Sequence, residues 1–160
     1  MAEYQEYTKV VRLSRVEINQ MYDRANIIRD AYENNRGKDF IVDKLIPWGK
    51  AVGTASSLAT IFKAPIPYQM KFVLAVVSLA NNFIGGTNYY LNMLKTGEHE
   101  LLRVKQFAEA NKSKYKYFEF EVAIMEYMTT TAEGRVPVVY IQGSDIVRRA
   151  QKHDGTWVNV

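Results

Sequence analysis

Apolar positions in the first 35 residues recur at spacings of four and three: Tyr7, Val11, Ser14, Ile18, Met21, Ala25, Ile28 and Tyr32. That is a heptad-like seam, and it predicts one long helix over residues 4–35. Ser14 and Ala25 are its weak members. The intervening positions carry Arg12, Arg15, Glu17, Asp23, Arg24 and Asp30, a solvated face, and Asn34, Asn35 and Gly37 supply a stop. A seam of this length fits a helix packed on its own domain or a self-associating coiled coil.

A second helix is predicted over residues 39–62, with Pro47 as a kink or a first-turn residue. Its later part is rich in small side chains. Gly49, Gly53 and Ser57 fall four apart, as do Ala51, Ala55 and Ala59, rows that let another helix approach closely. Pro65 and Pro67 then stiffen a turn. A third helix starts near Tyr68 and holds 23 uncharged residues between Lys71 and Lys95. The helical pattern resumes through Leu101, Leu102, Val104, Phe107 and Ala108, and gives way near Asn111.

Beyond Asn111 the pattern changes. Residues 115–128 fit a strand through the alternation of Phe118, Phe120 and Val122, or a helix through Phe118, Val122 and Met125. Val138 to Ile141 reads as a short strand entered from Pro137. Ser144 or Asp145 reads as the cap of a short helix that ends in Arg148, Arg149, Lys152 and His153, and Thr156 to Val160 as a final strand. The expected fold class is therefore mainly α: a helical body over residues 1–111, made of the long helix and an apolar hairpin at 39–95, with a small β-containing α+β tail at 112–160.

Charge sharpens this picture. Residues 1–48 and 97–160 each carry equal numbers of basic and acidic side chains, and the net +4 rests on Lys50, Lys63, Lys71 and Lys95. No acid occurs between Asp43 and Glu98. An acid-free block bordered by lysines raises the possibility of membrane insertion, since lysine stems snorkel. Against it stand Asn81, Asn82, Thr87, Asn88 and Asn92, polar groups that are costly in lipid. No basic stretch leads into an apolar run near the start, so no cleaved signal peptide is expected, and synthesis is expected in the cytoplasm.

Candidate chemistry is thin. The chain has no cysteine, which removes disulfides, thiolate nucleophiles and thiolate-bound metals. Gly97-Glu98-His99-Glu100 lacks the second histidine of a zinc-protease helix, because Arg103 stands there. Gly143-Ser144-Asp145 has Ile146 where a nucleophile elbow needs glycine. Neither a phosphate-cradling loop nor a dinucleotide fingerprint occurs. No catalytic residue, cofactor, metal or small-molecule substrate is expected.

Two basic clusters remain. Lys112, Lys114 and Lys116 alternate with Ser113, Tyr115 and Tyr117, an arrangement that in a strand would set lysines on one face and tyrosines on the other. Arg148, Arg149 and Lys152 form the second cluster. Both are candidate contacts for an anionic partner, and the modest net charge argues against a dedicated nucleic-acid role. The function expected is a non-enzymatic structural subunit that self-associates or docks in a larger, phage-like particle. Its packing residues would be Val11, Ile18, Met21 and Ile28 of the seam, with Gly49, Gly53, Ser57, Phe72, Val76 and Leu79 of the hairpin. The alternative is a holin-like or pore-forming protein that inserts residues 49–95.

Overall fold

The computed structural model describes residues 3–53, 57–64, 70–83, 88–132 and 134–160. The elements run β1 (Glu3–Leu13), α1 (Arg15–Glu33), α2 (Lys38–Val52), α3 (Leu58–Ile61), α4 (Met70–Phe83), α5 (Asn88–Ala110), β2 (Tyr115–Thr131), β3 (Gly134–Ser144), β4 (Arg149–Lys152) and β5 (Trp157–Asn159). This is an α+β protein built on a five-stranded antiparallel sheet. The mainly α expectation is overturned.

The predicted long helix is a strand followed by a helix. Tyr7 and Val11 are four apart, an even spacing that shares a face in a strand as well as in a helix. The first spacing of three, Val11 to Ser14, is where the chain changes structure. Ser14 is the N-cap of α1: its Oγ accepts from the Glu17 N–H at 3.2 Å, and the Glu17 carboxylate accepts from the Ser14 N–H at 3.1 Å. This reciprocal capping box forces extended backbone at Ser14 and ends β1 cleanly.

The presumed tail is the middle of the sheet. β2 spans 17 residues and pairs with β1 on one side. On its other side it pairs with β3 along its later part and with β4 along its first part. Aromatic and β-branched residues fill β2, and Phe118, Phe120 and Val122 alternate inward, which decides strand over helix. The helix expected after Ser144 does not form. The Asp145 N–H donates to Glu121 O and the Arg148 N–H to Glu119 O, so residues 145–148 continue along β2 and lead directly into β4. The strands expected near Val138–Ile141 and Thr156–Val160 are present as β3 and β5.

The hairpin is also divided. α2 ends at Gly53, whose φ of 78° is a conformation glycine adopts readily, and Pro47 sits inside α2. Of the 23 uncharged residues, α4 holds those up to Phe83 and α5 those from Asn88. Pro65, Pro67, Gly85 and Gly86 lie outside the described residues. Among those described, no helix is long and apolar enough to cross a membrane.

The helices pack antiparallel and then onto the sheet. Arg15 and Asn19 at one end of α1 hold Glu109 of α5, at 2.8 and 2.9 Å. At the other end Arg29 and Asn26 hold Glu98, at 2.6 and 3.1 Å. Trp48 of α2 donates to the Gln20 carbonyl of α1 at 2.7 Å. α5 crosses β3 at Gly97, where an added Cβ would lie 1.9 Å from the Ile141 carbonyl oxygen. One continuous core joins Val11 and Leu13 of β1 to the helices and to β2 and β3.

Candidate functional site

The sheet has three free edges among the described strands, and each is finished differently. β5 is three residues long. β3 contains Pro137 and a register shift against β2 at Ala123/Ile124. Shortness, proline and bulges are the usual devices that blunt an edge. β1 has neither a proline nor a bulge, and its register against β2 runs unbroken from Glu3↔Met128 to Leu13↔Phe118. Its other side has no strand partner among the described residues.

Side chains of β1 alternate. Leu13 and Val11 point into the core opposite Phe118 and Phe120. Tyr4 and Val10 lie on the opposite face, 64% and 52% exposed. Thr8, on that same face, is exposed. The edge is therefore a regular row of backbone donors and acceptors, flanked by apolar side chains that water still reaches.

The first half of β1 is tied down by a charge cluster. Glu126 of β2 is 5% exposed and accepts from the Tyr7 hydroxyl at 2.8 Å and the Gln5 amide at 3.2 Å. Lys63 Nζ lies 2.8 Å from the same carboxylate. Burial alone would raise the Glu126 pKa, but the hydrogen bonds from Lys63, Tyr7 and Gln5 outweigh it and hold the carboxyl below its usual range. Burial, then the bond to Glu126, pushes Tyr7 up, and the Glu126 bond raises Lys63 despite its desolvation. Lys63 adopts φ 51°, the left-handed position that follows α3, an uncommon conformation for a residue with a Cβ. A cavity of about 220 Å³ opens beside this cluster, between Tyr4, Gln5, Glu126 and Met128.

Behind the cluster four tyrosines pack together. Tyr90 of α5 lies 4.9 Å from Tyr32, 5.8 Å from Tyr127 and 5.6 Å from Tyr140, between ring centroids. Burial drives the Tyr127 hydroxyl up to about 12, and holds Tyr32 and Tyr90 well above the ordinary tyrosine range. Every resolved shift among the described groups moves away from neutrality: tyrosines, Lys63, Arg29 and Arg148 upward, carboxylates downward. Each of these groups keeps a single charge state around neutral pH.

The other half of the sheet carries a ladder of opposite charges. Arg12 of β1 bonds Glu119 of β2 at 2.7 Å, and Arg149 of β4 approaches the same carboxylate at 3.9 Å. Both guanidiniums lie over the Trp157 ring, at 4.6 and 5.4 Å. A cleft of about 440 Å³ between α5 and the β3–β4 link is lined by Glu100, Arg103, Val104, Phe107 and the 144–147 segment, with Val160.

The sequence-predicted residues fall in different places. Val11, Ile18, Met21, Ile28, Val76 and Leu79 are all in the chain's own core, with Phe72 packed against it. Gly49 is buried in α2, Gly53 ends that helix, and Ser57 lies beyond it, exposed, its N–H donating to Glu17 at 3.0 Å. These three do not form one helical stripe. Lys112 and Lys114 sit in the turn after α5 and Lys116 alone of the three is in β2, so the alternating face of lysines does not form. Arg148 pairs with Asp145 at 2.8 Å, Arg149 belongs to the Trp157 ladder, and Lys152 is exposed. Around His99, Glu98 is committed to Arg29 and Glu100 accepts from the Ser144 N–H. No group of three metal-ligating side chains occurs among the described residues.

Sequence reasoning missed β1, Glu126 and Lys63. The capping-box spacing Ser14-x-x-Glu17 was the available signal for the first. Nothing local marks the other two, which are 63 residues apart and meet only through the sheet. No known protein family matches the chain, and no curated protein or solved structure is significantly similar to it.

Proposed function

We propose that this chain is a non-enzymatic assembly subunit, joined to its neighbours in a larger particle through the open edge of β1. One observation carries the reading: an eleven-residue regular edge strand with no bulge and no proline, in a sheet whose other edges are blunted. Such an edge offers main-chain hydrogen bonds to an added strand, which supply affinity, while the alternating side chains supply specificity. The seam residues and Val76 and Leu79 of the hairpin, first expected to make these contacts, fill the core, so the contact surface moves from helix faces to the sheet edge. The pKa directions favour the same reading, since they stabilise fixed charge states in the clamp that anchors β1.

The test is site-specific photo-cross-linking in the cells that make the protein. A cross-linking side chain at Thr8, on β1, is expected to give one discrete adduct. The same group at Arg135, exposed at the start of β3, is expected to give none. Absence of a discrete adduct from Thr8 would overturn the reading.

A further inference from the structure

We infer that the molecule on the β1 edge is a second copy of this chain, its β1 antiparallel and related by a two-fold axis through Thr8. This rests on the edge reading above and adds the identity of the partner and the register. β1 is charge-antisymmetric: its acids, Glu3 and Glu6, lie in its first half, and its bases, Lys9 and Arg12, in its second. Parallel pairing of two copies would set like charges side by side. Antiparallel pairing sets the acidic half of each against the basic half of the other.

Geometry narrows the register. A two-fold axis between antiparallel strands stands perpendicular to the sheet and keeps each face on its own side. Opposed residues must therefore share a face, and their numbers must add to an even total. An axis through Lys9 would oppose two lysines. One through Tyr7 brings each Glu6, and one through Thr8 each Lys9, diagonally against its own mate, and the longer lysine stem turns its charge out to water more readily. One through Thr8 opposes Tyr4 to the partner's Arg12 and Glu6 to the partner's Val10, with the partner's Arg12 diagonal to Glu6, and it pairs Thr8 with itself. Arg12 has room for this, with 55% of its side chain exposed while it bonds Glu119. Val10 and Tyr4, the exposed apolar residues of the strand, are then both covered.

The chain contains no cysteine, so a single introduced thiol reports the register directly. Opposed residues in an antiparallel pair have Cα atoms roughly 4.5–5.5 Å apart, inside the range a disulfide spans. Purified Thr8→Cys under mild oxidation is expected to cross-link as a dimer at least tenfold faster than Thr130→Cys, an exposed control on β2. Light scattering on the wild-type chain is expected to approach twice 18.4 kDa with rising concentration. Glu6→Lys, which sets cations against the partner's Arg12, is expected to weaken that dimer at least tenfold with the melting curve of the dilute monomer unchanged. A wild-type mass fixed at 18.4 kDa, or cross-linking of Thr8→Cys no faster than the control, would overturn the inference. An intracellular adduct from Thr8 to a different protein, with the purified chain monomeric, would sink the second-copy inference and leave the edge reading standing. No adduct at all would sink both.

Discussion

β1 and β3 flank the same strand and are equal in length, yet they are held by different physics. In β3, Val138, Val139, Tyr140 and Ile141 are consecutively buried, so both faces of that strand are covered. Among the described side chains of β1 only Val11 and Leu13 are buried, and the half toward the N-terminus is tied to Glu126 through Gln5 and Tyr7. Burying apolar area contributes roughly 25 cal/mol per Å², so β3 belongs to the stable centre of the molecule and β1 to its adaptable margin. The comparison teaches that the sheet spends its apolar residues on one flank and leaves the other able to accept a partner.

The largest effect that could break this contrast is expected where α5 meets β3. Gly97→Ala places a Cβ against the Ile141 carbonyl, a backbone atom that cannot rotate away. Urea unfolding should show a loss of about 3 kcal/mol or more. Retained stability would mean that α5 and β3 are not held as tightly as the contrast requires.

Glu126→Gln comes next, at about 1–2 kcal/mol. The cost is smaller than for a sealed ion pair because Lys63 is 46% exposed and can turn to water. The sign with pH follows from its lowered pKa. The stability Glu126 contributes is complete above the ordinary carboxylate range and is lost as pH falls through the lower folded value. The variant should therefore have a flatter acid limb in its stability profile between neutral pH and acid unfolding.

Lys63→Gly should nearly cancel. It removes a half-exposed ion pair worth up to about 1 kcal/mol and relieves a left-handed φ of 51° worth a similar amount. A net change within about 0.5 kcal/mol is expected from thermal melting. Val10→Thr, on the exposed face of β1, should change monomer stability least, by under about 0.5 kcal/mol. A large loss there would mean that β1 is as firmly built as β3.

β3 was legible because its residues say one thing. Val138-Val139-Tyr140-Ile141 is a continuous β-branched and aromatic run behind Pro137, and no helical period competes. β1 was not legible, because a four-residue spacing satisfies strand and helix alike, and the helical seam from Ile18 onward extended backward over it. Ser14 carried the correction, as a cap and not as a weak seam member. β2 was ambiguous for the same reason, and tertiary pairing on both sides decided it. The helix expected at Ser144 failed because the neighbouring backbone of β2 offered carbonyls at Glu121 and Glu119, a long-range partner that local capping signals do not reveal. The Glu126 clamp was invisible in principle, since its members come from three separate segments.

The most direct test of the account is amide hydrogen exchange along Glu3–Leu13 as protein concentration rises. In an isolated edge strand alternate amides bond to β2 and the rest face water, so protection should alternate residue by residue in dilute solution. The account predicts that the fast-exchanging set slows as the partner strand is added, until the whole of β1 is protected. An alternation that persists unchanged at every concentration and in the assembled state would contradict it.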